Sequence, residues 1–189
     1  MTKKDKFQET ALALIHKKGF KAMTIRQLAL EMHCDVKNIY NYTSSKSAIL
    51  EDLLKGVSRD FHTGIDQILN ADLNPVQQME ELIRLHVEIS YQKPLQVALL
   101  INEWRNLSET EIVKFKKRRT EYEEKVGLIL ERGVNEKHFR PLNTKITVQG
   151  IIGSLRWQYE YYFRKDKQIN PLDTLEELKQ LIIGGLVKK

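Results

Sequence analysis

The chain contains a single cysteine, Cys34, in 189 residues. One cysteine excludes an internal disulfide and a cysteine-rich metal site. Proline occurs only at 75, 94, 141 and 171, each where a helix can begin or a connector can run. No run alternates strictly between apolar and polar residues with hairpin turns at its ends, so no sheet is expected. No apolar stretch approaches the ~18–20 residues that a bilayer crossing needs. The N-terminus, MTKKDKFQET, is basic but lacks the apolar core of a secretory signal. A cytoplasmic protein with no membrane partner is the expectation.

Catalytic patterns are missing as well. The five histidines, His16, His33, His62, His86 and His138, form no i,i+4 pair and no HExxH. There is no glycine-rich phosphate loop and no G-x-S-x-G elbow. The sequence therefore indicates no metal, no cofactor and no catalytic residue, and an enzyme is not expected.

What is present is charge in one place. Hydrophobic residues make up 41% and charged residues 30%, and the net charge is +6. Residues 1–50 hold nine Lys/Arg against four Asp/Glu, whereas residues 51–189 hold 22 against 21. A local basic excess of this kind attracts a polyanion.

The chain reads as all-α, with about nine helices. The first spans about 4–18, with Phe7, Ala11, Leu14 and Ile15 as its apolar stripe and Gly19 as its stop. Thr24 caps the second, with Gln27 as a capping-box partner. The second helix buries Ile25, Leu28, Ala29 and Met32, and His33-Cys34-Asp35 is the turn after it. Asp35 is a suitable cap for a third helix, 36–42. A fourth opens at Ser44 or Ser45 and continues to about 70, with Ile49, Leu50, Leu53 and Leu54 inward. Longer helices follow over about 75–92, 94–106, 108–133, 143–163 and 171–184. This organisation suggests a basic helical head over residues 1–48 and a larger helical body over 49–189.

Two short helices joined by a tight turn and steadied by a third describe a helix-turn-helix. Its second helix can enter the major groove of DNA. Ala29 is small where the two helices approach, and Cys34 and Ile39 are apolar where the second packs back. Lys37, Asn38, Asn41 and Tyr42 remain for the groove. Asn pairs bidentately with adenine, and Lys reaches guanine O6/N7.

The stretch Thr24–Leu50 resembles the DNA-binding domain of TetR/AcrR-type transcriptional repressors. The likeness rests on Thr24 opening the second helix, on Asn38-Ile39-Tyr40-Asn41-Tyr42-Thr43 at the T-L-Y-x-H-F signature, and on Ser45-Lys46 opening the fourth. The glycine-aromatic link in HKKGFKAMTIRQLA also matches. Two positions depart from the pattern. His33 replaces the glycine of the turn, and Thr43 replaces the phenylalanine that usually plugs the head. The resemblance implies phosphate contacts for Thr24, Tyr40 and Lys46, which adds to the base-facing set. It also implies a homodimer, because two heads must reach successive major grooves about 34–36 Å apart on a palindromic operator.

The family's dimer is a four-helix bundle built from the last two helices. Here their apolar stripes are Ile151, Ile152 and Leu155, and Leu175, Leu178 and Ile182, with Leu186 beyond. These stripes can equally face the chain's own core.

A second resemblance covers RGVNEKHFRPLNTKITVQGIIGSLRWQYEYYF. It is similar to TetR-like regulators that sense acyl-CoA thioesters, through Gly133, Phe139-Arg140 and the Ile151–Trp157 run. The resemblance implies a small-molecule effector such as an acyl-CoA, with Trp104, Arg156, Trp157, Tyr159 and His86 as candidate ligand residues. Two other readings stay open. The effector could be a different apolar or anionic molecule, or the protein could bind DNA with no ligand. The basic run Lys114–Arg119 could receive CoA phosphates, or it could be a solvated helix face paired with Glu121, Glu123 and Glu124.

Overall fold

The computed structural model describes residues 2–164 and 169–187. Its elements are α1 (Lys3–Lys18), α2 (Ile25–Glu31), α3 (Val36–Ile39), α4 (Lys46–Asn70), α5 (Pro75–Gln92), α6 (Pro94–Asn102), a 3-10 turn (Trp104–Asn106), α7 (Glu109–Asn135), α8 (Thr144–Ser154), α9 (Tyr159–Phe163) and α10 (Pro171–Leu186). Among the described residues there is no strand, only one antiparallel bridge between Phe139 and Val187. None of their helices is long and apolar enough to cross a membrane.

The chain divides into two compact units. The first joins residues 1–58 to Leu95–Phe115, and the second joins Arg59–Pro94 to residues 116–189. The sequence suggested one boundary near residue 48. The chain in fact passes between units three times, within α4, before Leu95 and within α7.

The first unit has one core. Phe7, Ala11, Leu14 and Ile15 of α1 meet Leu28 and Ala29 of α2, Ile39 of α3, and Ile49, Leu50, Leu53 and Leu54 of α4. Leu99 is buried with them, and Leu95, Leu100, Trp104 and Leu107 pack against the cluster. Apolar burial at ~25 cal/mol per Å² is what holds such short helices, since α2 and α3 are too short to persist alone.

The second unit is built on α5, whose buried face includes Met79, Leu82, Ile83, His86, Val87 and Ser90. α10 packs against α5, and so does α9. Gly127 of α7 lets α8 come close, with Thr144 Cγ2 at 3.4 Å from where a Cβ would stand.

One expected helix is interrupted. The segment read as 143–163 breaks at Leu155–Gln158 into α8 and α9. Gly150 and Gly153 weaken the helix before the break. The Ser154 hydroxyl donates to the Ile151 carbonyl at 2.8 Å, and Gln158 Nε2 takes the Leu155 carbonyl at 3.0 Å. Side chains thus satisfy backbone groups that a continuing helix would use.

Candidate functional site

The helix-turn-helix is fixed by side-chain and backbone caps. Gln27 N–H donates to Thr24 Oγ1 at 3.2 Å, and Thr24 N–H donates to Gln27 Oε1 at 3.0 Å, a complete capping box. α2 ends in a left-handed residue, His33, at φ 53°. His33 N–H donates to Leu30 O and Cys34 N–H to Ala29 O, at 3.1 and 3.0 Å. That pair of bonds is a Schellman closure, which usually employs glycine. Asp35 stands at the N-cap of α3 but makes no side-chain cap bond, so its expected capping role is not realised.

α3 is a single turn that continues as turns through Tyr42, with Asn41 N–H on Asn38 O and Tyr42 N–H on Ile39 O. Ile39 is fully buried and fixes which way the turn faces. Lys37, Asn38 and Asn41 are exposed, and Tyr40 is 55% exposed. Tyr40 is therefore a surface aromatic and not part of the core. Tyr42 behaves differently. It is half-buried and stacks on Phe7, with ring centroids 5.2 Å apart and planes 20° apart. Thr43 is buried, and its hydroxyl donates to Ser45 O at 2.8 Å, which satisfies the polar group that replaces a phenylalanine.

Lys46 opens α4, where a cation is unfavourable to the helix dipole. Its ammonium turns instead to the α1–α2 link. It donates to Lys21 O at 2.9 Å and lies 4.5 Å from the Phe20 ring centroid. Ser45 supplies the cap, with its Oγ accepting from Ala48 N–H at 3.1 Å.

The second unit contains a buried polar cluster. His86 Nε2 lies 2.8 Å from the Tyr122 hydroxyl. Phe61 tilts over His86 at 4.8 Å, and His62 meets the Tyr122 ring edge at 5.5 Å. Burial, with a smaller effect from Arg156, lowers the His86 pKa to about 3, so the ring is neutral at physiological pH. Burial pushes the Tyr122 hydroxyl well above its ordinary range.

Arg156 lies on the break after α8 and is half-buried. Burial lowers its pKa, the charge of Arg119 lowers it further, and Glu123 raises it. A guanidinium nonetheless stays charged in a protein. Glu123 is already paired with Arg119 at 2.9 Å.

The other candidate ligand residues divide. Tyr159 is buried and its hydroxyl donates to Glu160 Oε1 at 3.3 Å. Trp157 is 43% exposed and meets Tyr161 edge-on at 5.4 Å, so it does not line a buried pocket. Trp104 belongs to the first unit. It stacks on Phe115 at 5.4 Å, with the Arg105 guanidinium 4.5 Å from its ring. The structure groups His86, Arg156 and Tyr159 in one unit and leaves Trp104 with the other. Sequence reasoning missed Phe61, His62 and Tyr122. Tyr122 sits in the charge-rich run Glu121–Glu124, and only its i,i+4 spacing to Val126 marks it as core.

The residues of the second resemblance have structural work. Gly133 does not end α7 but lies inside it, and the Phe139 ring packs where a side chain at 133 would stand. Arg140 clamps the end of α10. Its backbone N–H donates to Leu186 O and its Nε to Gly185 O, both at 2.8 Å. The run Lys114–Arg119 is an exposed helix face with partners on its own helix, Lys114 with Glu111 at 2.7 Å and Lys117 with Glu121 at 4.0 Å.

Ile151, Ile152, Leu155, Leu175, Leu178 and Ile182 are all buried within the single chain. α10, which carries Leu175, Leu178 and Ile182, packs against α5. The exposed apolar residues of these helices are others: Ile146 at 71%, Leu172 at 68% and Leu181 at 67%.

Comparison with known proteins agrees with this architecture. Residues 72–184 match the family model of the tetracyclin repressor-like C-terminal domain. The chain is 21% identical over 182 residues to the HTH-type transcriptional repressor KstR2 of Mycobacterium tuberculosis, covering 96% of this chain and 91% of that protein. The solved structure of the ketosteroid transcriptional regulator KstR2 from that organism superposes with a TM-score of 0.91 at 19% identity, covering 100% of this chain and 96% of that one. AibR, solved with isovaleryl coenzyme A and operator DNA, superposes with a TM-score of 0.83 at 15% identity, covering 95% and 97%. With more than half its length matched to the family model and a helix-turn-helix in its basic head, the chain belongs to the tetracyclin repressor-like family of transcriptional regulators, which are DNA-binding proteins and not enzymes.

Proposed function

We propose that this protein is a repressor that binds a palindromic operator as a homodimer and is released by an anionic small molecule, an acyl-CoA thioester. The observation that supports the DNA reading is the rotation of α3. With Ile39 inward, Lys37, Asn38 and Asn41 point outward from the head that holds the chain's basic excess. Lys37, Asn38 and Asn41 would read base edges, while Thr24, Tyr40 and Lys46 would meet phosphates. Tyr42 would support this surface from behind through Phe7. The protein would work in the cytoplasm, where its operator lies.

The effector reading rests on Arg156. A half-buried guanidinium on which the charge of Glu123 acts, while Glu123 is itself paired with Arg119, invites an acidic group from outside. AibR, which carries a coenzyme A thioester in its structure, has the same fold. His86 and Tyr159 would flank the ligand's less polar part.

A ligand changes DNA affinity only by binding two conformations unequally, typically by 1–3 kcal/mol or about 5–150-fold. Titration with acyl-CoAs of several chain lengths is expected to weaken operator binding within that range. Arg156→Ala is expected to lose the response while keeping ligand-free DNA affinity. Fluorescence of Trp157 in a Trp104→Phe background reports ligand binding directly. An isotherm that no acyl-CoA shifts sinks the effector reading and leaves the DNA reading standing.

A further inference from the structure

Val36 opens α3. It is 37% exposed, beside the exposed Lys37 and Asn38. A lone exposed valine elsewhere on a surface would carry no meaning. This one stands at the leading end of the helix that meets DNA, where the first residues of a recognition helix reach base edges. Lys37, Asn38 and Asn41 can form hydrogen bonds, but Val36 cannot.

Its placement is fixed. The left-handed His33 and the Schellman bonds to Leu30 and Ala29 set the chain direction into α3. Ile39, fully buried one turn later, sets the rotation. Valine itself has one strongly preferred rotamer in a helix, so its two methyls form a stiff apolar surface. The only apolar group on a major-groove base edge is the C5-methyl of thymine.

We infer that Val36 is a specificity-determining residue that selects thymine by its methyl group, one per operator half-site. The inference rests on the DNA-binding reading and extends it to a base that no polar side chain here can distinguish in this way. Losing one buried methyl corresponds to about four-fold in affinity. Losing it in both half-sites corresponds to about fifteen-fold.

The test uses the full-length protein and an operator selected by it from random duplexes. Each thymine of a half-site is replaced in turn by deoxyuridine, which lacks only the methyl. The expected result is one position per half-site where the wild-type protein loses about four-fold. Val36→Ala, which alters both protomers of the dimer, should lose about fifteen-fold on the thymine duplex and be indifferent to deoxyuridine at that position. Selection that enriches no sequence overturns the DNA reading and this inference with it. An enriched operator on which no deoxyuridine matters, or on which Val36→Ala still responds to it, overturns the role of Val36 alone.

Discussion

His86 and Tyr122 share a hydrogen bond of 2.8 Å between α5 and α7, inside the second unit, where both side chains are buried. The bond requires a neutral imidazole if the tyrosine donates, and burial enforces neutrality by lowering the His86 pKa from 6.5 to about 3. An unfolded chain binds that proton near pH 6.5, whereas the folded chain resists it until about pH 3. The unfolded state therefore holds more protons across this window, and stability falls as pH falls through it. Above pH 6.5 the contribution is fully present. Urea midpoints measured from pH 7 to pH 4 should drop steeply for the wild type. His86→Gln, which keeps a polar group without a proton to gain, should flatten the slope while lowering stability at pH 7. Parallel slopes for the two proteins would show that another group governs the acid transition.

Gly133 is a contact and not a stop. A methyl at this position would overlap the Phe139 ring, which is 1% exposed and cannot swing outward. Phe139 is held further by its N–H on Gly133 O at 2.9 Å. Gly133→Ala should gain up to about 1 kcal/mol of helix propensity and lose about 1–3 kcal/mol to overpacking. The expected net result is a lower melting temperature, partly restored by Phe139→Leu. A variant more stable than wild type would mean the ring has room to move.

Lys46 has two tasks to reconcile. In the free protein its ammonium binds Lys21 O at 2.9 Å. An ammonium has three donors, so a phosphate can still be met by another. Lys46→Ala should weaken specific and random DNA about equally and reduce the salt slope by ~1. It should also loosen the α1–α2 link, read as a lower melting temperature. A destabilised head with an unchanged salt slope would assign Lys46 to the link alone.

The sequence carried most of the helix map, because caps and stripes are local. Thr24, Gly19 and Pro75 mark ends that the structure shares. The break at Leu155–Gln158 was not legible, since Ser154 and Gln158 act on carbonyls only once the segment has packed. The grouping of Leu95–Phe115 with the head was hidden too, because an apolar stripe says that a face is buried and not against what. The same ambiguity covers the stripes of α8 and α10, which are buried within the single chain. At the head surface, residue types pointed to Lys37, Asn38, Asn41 and Tyr42; the structure exposes the first three and stacks Tyr42, half-buried, on Phe7, which no residue type announces.

The proposed dimer surface can be tested through the two faces of α10. Leu178 faces inward at 4% exposure and Leu181 outward at 67%. On α8, Ile146 is 71% exposed, and Gly150 and Gly153 have open space where a side chain would stand. Gly184 and Gly185 are equally open at the end of α10, which Arg140 clamps. Small and apolar residues of this kind let helices from a second copy approach closely. Leu181→Glu and Ile146→Glu should therefore give monomers in sedimentation, lose operator binding, and keep the helical spectrum. Leu178→Glu should act differently. It strands an unpaired charge in the chain's own core, a loss of about 3–5 kcal/mol, and should melt the second unit. A folded monomer from Leu178→Glu beside an intact dimer from Leu181→Glu would reverse the assignment. Because two heads must span about 34–36 Å of duplex together, a monomer should retain only weak binding to a half-site, and that residual binding should be the same for Leu181→Glu and Ile146→Glu.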